Sequence, residues 1–328
     1  MNRPLVRIQA LLLDPRTMRA VVLFVGAGVT LYLAAIFWFG WQDTARALSA
    51  LGPATMLLGA GLASSSYLWR FCRWDYSLRH FGHVLPWAPH LAIYLSGLAL
   101  TATPGKSGET FRSALLLQRG VRVTHSLAAF IVGRATDVLG VCLLGFCSAW
   151  LVGQQHAWAW LAAFAAMLLA SRLLAALLLH PRTGAWWDGL MQGRQWLAAL
   201  KGGQAIFEHW ASLWKLPRVT AFSVAAMLAY GTQALVFAWF CHVAGTGLPA
   251  PLCVLIFVQA TLFGAASMIP GGLGAMEAAL VLQMSERGVG DAVAVSLAIA
   301  IRLVTLWLGM ALGALGLLSS SRRASQLG

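Results

Sequence analysis

Six stretches of this chain are long and apolar enough to cross a lipid bilayer, and that restricts its backbone to one kind of structure. A hydrocarbon core about 30 Å thick takes roughly twenty helical residues. Such runs occur at Val21–Trp41, Ala54–Trp74, Ser126–Val152, Ala157–Leu179, Val219–Val243 and Val293–Leu318. No water is present in that layer to satisfy backbone N–H and C=O groups, so the runs are expected to be helices. Hydrophobic residues make up 59% of the chain and charged ones only 10%, against about a quarter charged in soluble domains. The reading is an all-α polytopic membrane protein, with residues 1–328 forming a single transmembrane domain. The one long polar interval, 180–218, carries tryptophans and charges at helical spacing and is expected to be an amphipathic linker on the cytoplasmic membrane surface.

Two further apolar runs are different, and they repeat each other. Trp87–Thr103 leads into PGKSGETFRSALLLQRGV from Pro104, with Arg134 following; Leu252–Ile269 leads into PGGLGAMEAALVLQMSERGV from Pro270, with Arg302 following. Pro104, Gly105 and Gly108 match Pro270, Gly271 and Gly274. After a two-residue insertion, Glu109, Arg119, Gly120, Val121 and Arg134 match Glu277, Arg287, Gly288, Val289 and Arg302. The chain has only four glutamates, and two of them occupy equivalent places. Residues 86–152 and 251–318 are therefore read as internal repeats. The segments after the turns, Glu109–Gln118 and Glu277–Gln283, are too short to cross the bilayer at 1.5 Å per residue. Each pair is expected to form a re-entrant helical hairpin. Three full crossings separate the hairpins, so they open on opposite faces and the repeats are inverted.

Basic residues give an independent view of topology. This arrangement puts Arg3, Arg7, Arg16, Arg19, Arg70, Arg73, Arg79, Arg119, Arg122, Arg182, Arg194, Lys201, Lys215, Arg218, Arg322 and Arg323 on one side, and only Arg46 and Arg287 on the other. By the positive-inside rule both termini are cytoplasmic. The net charge of +13 is thus spread over short loops beside spans and does not form a nucleic-acid-binding run.

The repeated motifs supply the candidate site. Pro104 and Pro270 stop the incoming helices. Gly105, Gly108, Gly271, Gly272 and Gly274 permit turns whose amides face a ligand, and helices starting near Glu109 and Glu277 present their positive ends there. Arg134 and Arg302 lie well inside apolar helices, where an arginine costs about 2.5–3.5 kcal/mol even on the lenient insertion scale and must face a partner or a cavity. Asp137, three residues after Arg134, shares its helical face; Arg302 has Thr305 there, so Glu109 or Glu277 is its natural partner. Arg112 shares a face with Glu109 and either holds it or meets lipid phosphate. Lys106 stands in the first turn where the second has Gly272. Two readings stay open: the arginines and turn amides bind a phosphate diester, or the charges are structural ion pairs clamping the repeats together.

The remaining signals are structural. Tryptophans at 38, 41, 69, 74, 87, 150, 158, 160, 186, 187, 196, 210 and 214 lie near span ends, as in an aromatic belt. Gly309, Gly313 and Gly316 permit close helix packing. The five cysteines lack metal spacing and no cofactor is expected. No HExxH, P-loop, GxSxG or dinucleotide fingerprint occurs, which points away from an enzyme, although a membrane-embedded transferase built from dispersed acids and arginines stays open.

The motif PGKSGETFR, the Arg-Gly-Val after it, Arg134 with Asp137, and PGGLGAMEAAL together resemble the lysylphosphatidylglycerol synthase/flippase membrane-domain family of bacteria and archaea. The resemblance covers nearly the whole chain. It implies an inner (plasma) membrane protein moving a phospholipid or lipid-linked intermediate between leaflets, without ATP. The partners implied are membrane lipids, with a second copy of the chain or an enzyme of a hopanoid or glycolipid pathway open. Larger members also carry a cytosolic aminoacyl-transferase domain. Only about ten residues follow the last apolar run here, so that activity is not expected. The site residues implied are Pro104, Gly105, Gly108, Glu109, Arg112, Arg134 and Asp137 in the first repeat. In the second they are Pro270, Gly271, Gly272, Gly274, Glu277 and Arg302. The alternative readings are an ion-coupled small-solute transporter of the same architecture and a non-transporting membrane partner of a lipid-modifying pathway.

Overall fold

The computed structural model describes residues 41–101, 111–178 and 198–324, and every regular element among them is helical. Helix α1 (Trp41–His80) bends where Gly52 takes φ 72° ahead of Pro53. It is followed by α2 (Trp87–Ser96), extended by a 3-10 turn at Gly97–Leu100, and by the short α3 (Phe111–Leu117). Next come α4 (Val123–Leu151), α5 (Trp158–Leu178) and α6 (Ala198–Leu213). The second half holds α7 (Leu216–Val243), α8 (Ala250–Ala266), α9 (Ala275–Ser285) and α10 (Asp291–Arg302). A π-helical turn at Leu303–Trp307 then leads into α11 (Leu308–Ala324).

Among the described residues, four helical stretches are long and apolar enough to cross a membrane: Val123–Leu151, Trp158–Leu177, Leu216–Val243 and Asp291–Leu317. The expected count of six is not reproduced. Val21–Trp41 lies, except for Trp41, outside the described residues. Ala54–Trp74 is helical, but its outer half carries Ser64, Ser65, Ser66, Tyr67, Arg70 and Arg73, which lower its hydropathy. Arg70 and Arg73 are not loop residues, as the charge count assumed: the helix runs on to His80 and buries both, at 8% and 6% exposure. A helix that turns polar groups inward looks like a span's end in one dimension.

Contacts between elements come in matched pairs. The limb α2 packs on α11, and the limb α8 packs on α4; α3 touches α4 as α9 touches α10; α1 packs on α10 as α7 packs on α4. Close approach of α2 and α11 depends on the glycine stripe. A Cβ at Gly316 would stand 2.8 Å from the Ala92 carbonyl oxygen, and one at Gly313 would collide with the Leu98 and Ala99 backbone. The largest apolar core joins α7, α8, α9 and α10 around Phe237, Phe240, Phe257, Leu280 and Ile301. A second cluster, with Phe71, Trp74, Ile93, Tyr94 and Leu116, fastens α2 and α3 to α1.

Residues 198–218 of the linker are described, and part of that stretch packs on the bundle. Trp210, Leu213 and Trp214 of the α6 region are buried against α4. Trp74 is likewise 5% exposed, its indole N–H donating to His90 at 3.1 Å. These three tryptophans belong to the core, whereas Trp69, Trp87, Trp150 and Trp158 are exposed as a belt requires. Cys142, Cys241 and Cys253 are buried, unpaired thiols.

Candidate functional site

The second Pro-Gly motif builds a tight reversal between α8 and α9. Helix α8 ends at Ala266, and Met268 takes φ 54°, a left-handed conformation rare for a side-chain-bearing residue. Ile269 is extended (φ −67°, ψ 133°), as expected of a residue before proline. Pro270–Gly272 then makes a single 3-10 turn with Gly271 and Gly272 at φ 63° and 64°. Gly272 has a second reason to lack a side chain, because its Cβ would sit 3.2 Å from the Gly264 carbonyl oxygen. Gly274, at φ 83°, caps α9, which places Glu277 in its first turn. With 11 residues α9 is about 16 Å long, well short of a crossing.

Arg302 reaches back to this reversal from the end of α10. Its Nε donates to Glu277 Oε1 at 2.7 Å, and Nη2 donates to the Gly271 carbonyl oxygen. Arginine and glutamate side chains are only 7% and 12% exposed. The π turn that follows is joined to α1, where the Tyr67 hydroxyl donates to the Thr305 carbonyl oxygen. π turns recur at functional sites, and this one sits directly after the buried arginine.

Across the bundle, Asp137 holds two cations. Arg73 Nη2 donates to its Oδ1 at 2.6 Å, and Arg134 Nη2 lies 2.9 Å from its Oδ2. Arg73 also donates to Thr136 Oγ1 at 3.1 Å, which fixes the guanidinium on α4. Arg70, one helical turn from Arg73, lies over the Tyr230 ring at 4.5 Å. The i,i+3 spacing revealed Arg134 with Asp137. Arg70 and Arg73 were missed because nothing in the sequence separates an inward-facing arginine near a span end from a loop arginine.

The two ion clusters face one cavity of about 280 Å³. Its walls include Arg70, Arg134, Asp137, Arg302, Gly271 and Gly272. Five of the predicted site residues thus meet, and Glu277 joins them through Arg302. Thr101, Gln233, Thr261 and Thr305 add neutral polar groups. Val138, Met268 and Ile269 also line it and are exposed, Met268 by 65%. Arg112 is elsewhere. It is 2% exposed, with its guanidinium 4.3 Å from the Trp74 ring and 4.9 Å from the Tyr94 ring. Pro104, Gly105, Lys106, Gly108 and Glu109 lie outside the described residues; Pro270 and Gly274 shape the reversal without lining the cavity.

Membrane-length helices around a charged internal cavity, with a broken helix at its wall, define an integral membrane protein with a buried polar site. The family model described as the lysylphosphatidylglycerol synthase TM region matches residues 23–313, and the chain belongs to that family. This is a family of membrane proteins of lipid metabolism or translocation, in which the membrane region is generally non-catalytic. No curated protein matches the chain significantly.

Proposed function

We propose that this protein is a lipid translocase, carrying an anionic phospholipid or lipid-linked intermediate between leaflets of the inner membrane without ATP. The observation that carries this reading is the meeting of Arg134 and Arg302, from two copies of one motif, at a single internal cavity. Among the described residues, four guanidinium groups (Arg70, Arg73, Arg134, Arg302) cluster there with two carboxylates, Asp137 and Glu277. A cluster of four guanidinium groups with two carboxylates at membrane depth suits an anionic ligand, and arginine forks suit a phosphate diester.

The cavity is of a size to take a lipid headgroup with the tails outside it. At about 280 Å³ it lies just below the 300–1,000 Å³ of ordinary small-molecule sites. It admits a headgroup but not two acyl chains. The exposed Val138, Met268 and Ile269 offer the tails an apolar exit toward the bilayer.

The paired contacts of α2 with α11 and α8 with α4 support an inverted repeat of two re-entrant hairpins. Rocking of one repeat against the other around the fixed site is then the expected movement. Cytoplasmic termini and a non-enzymatic role belong to the same reading.

The test is reconstitution into vesicles containing a headgroup-labelled phosphatidylglycerol, with loss of signal to a membrane-impermeant quencher as the measure of leaflet exchange. Wild-type protein should accelerate exchange, and Arg134→Ala should abolish the acceleration. Wild-type vesicles that exchange no faster than empty ones, for anionic and neutral lipids alike, would refute the proposal.

A further inference from the structure

A second cationic groove lies on the outside of the bundle, away from the central cavity. It is lined by Arg172 and Ala175 of α5, Ala211 of α6, Trp214 and Lys215 in the α6–α7 connection, and Leu216 at the start of α7. Three helices therefore meet around two cations and an indole. No acidic residue lines the groove.

Arg172 is the unusual member. It belongs to a membrane-length apolar helix and stands about 9 Å inside its end, with an exposed side chain. Among the described residues it makes no hydrogen bond or ion pair. An arginine at that depth has to send its head toward the interface and find a counter-charge there. Lys215 is exposed at the same groove. The wall between them is fixed, because the buried Trp214 indole N–H donates to Ser171 Oγ at 2.9 Å, beside Arg172. Along α5, Leu169, Leu173 and Leu177 are each more than 60% exposed and give a continuous apolar track leading from the groove. Paired cations, a fixed indole at the interface and an acyl-length apolar track are complementary to one amphiphile.

We propose that this groove binds the phosphate of an anionic phospholipid in the leaflet at this end of α5. Arg172 and Lys215 take the phosphate from two helices, and the acyl chains lie along the leucine face. The bound lipid acts as a strap joining α5 to the α6–α7 connection. This site is independent of the translocation reading, since it shares no residue with the central cavity.

The experiment uses the full-length protein in phosphatidylcholine vesicles containing a trace of phosphatidylglycerol with a photoreactive diazirine near its headgroup. Cross-linked peptides are mapped by mass spectrometry. Adducts are expected in 168–178 and 211–216. Each cation near a membrane surface is worth roughly a five-fold preference for anionic lipid. Arg172→Gln with Lys215→Gln should therefore cut labelling of these segments by roughly ten-fold or more, leaving adducts at the central cavity unchanged. Arg172→Lys with Lys215→Arg should keep it, which separates lost charge from a lost fold. A photoreactive phosphatidylcholine that labels both segments as well as the anionic probe does would overturn the proposal. So would undiminished labelling of the glutamine pair, or competition by inorganic phosphate, which would make the ligand a soluble anion. Should the glutamine pair fail to insert, the comparison of anionic and zwitterionic probes on wild type decides alone.

Discussion

Arg134 and Arg302 look equivalent in sequence, yet their surroundings make them unequal in a mutational test. Arg302 is the residue hydrogen-bonded to Glu277, at 7% side-chain exposure. Removing one partner of a buried pair costs about 3–5 kcal/mol, because the other charge stays behind in a place water cannot reach. Arg302→Ala should therefore lower both the amount of protein in the membrane and its unfolding temperature in detergent. The double variant Arg302→Ala with Glu277→Ala should recover part of that loss. Arg134 is 27% exposed, and Asp137 keeps Arg73 when Arg134 is removed. Arg134→Ala should leave abundance near wild type while abolishing lipid exchange, so it is the better probe of substrate binding. Asp137→Asn strands two cations at once and should destabilise more than Glu277→Gln. Quantitative blotting and thermal unfolding of the variants check all of these outcomes. What was legible at this scale followed from charge in apolar surroundings and from helical spacing. Asp137 was found as a partner in that way, and Glu277 as one of two candidates for Arg302. Arg73 was not, because its contact with α4 joins residues far apart in the chain, and the aromatic neighbours of Arg112, from three different helices, were not visible for the same reason.

At the scale of elements, the Pro-Gly reversal between α8 and α9 was the part most fully legible. A proline, a glycine run and a limb too short to cross left the chain little choice. Gly272→Ala is expected to impair exchange, since φ 64° and a 3.2 Å approach to Gly264 both resist a side chain, with strain of about 1–3 kcal/mol. Gly61→Ala, where a Cβ would meet nothing within 4 Å, is the matched control. Gly313 is unsuited to that purpose, although as a packing glycine it first looks neutral, because its Cβ would drive into the backbone of the α2 limb. The docking of α6 was not legible: its apolar face reads equally well as membrane-facing or protein-facing until α4 is in place. One consequence concerns pH. His83, in the loop after α1, lies 2.8 Å from His125 on α4, whose ring meets His209 of α6 at 4.3 Å. Burial, with help from Arg122, pushes the His83 pKa down. A histidine held neutral by folding supports the fold fully above its unfolded pKa of about 6.5, and that support is lost as pH falls below it. Amide protection across 198–213, taken relative to the intrinsic exchange rate at each pH, should therefore fall between pH 7.5 and pH 5.5, roughly the window set by that value. His83→Asn should flatten the response, and protection that stays constant across that range would contradict the role given to the cluster.

For the whole molecule, the sequence limited the chain to membrane helices and two broken segments. The number of crossings was less secure, because hydropathy rates a polar-lined span such as α1 below a lipid-facing one such as α5. The inverted arrangement makes the sharpest demand at this scale, since it fixes which loops share a face. With α4, α5 and α7 each crossing once, the connections at Gly153 and Gly247 lie on one side and Gly203 in α6 lies on the other. The positive-inside rule then assigns Gly203 to the cytoplasm, beside Lys201, Lys215 and Arg218. Single cysteines at 153 and 247, in a background without the exposed Cys72, should react with an impermeant thiol reagent in intact cells. A cysteine at 203 should react only after permeabilisation. Gly153 and Gly247 suit the purpose because a Cβ there meets nothing within 4 Å, although their positive φ (70° at each) favours a short, exposed replacement. Labelling of 153 and 247 on opposite sides would mean that α5 or α7 does not cross. The hairpins would then open on the same face, and the two arginines could no longer be related by an axis in the membrane plane. Labelling of 203 alone from outside would invert the molecule while leaving its internal symmetry intact, so the experiment separates orientation from architecture.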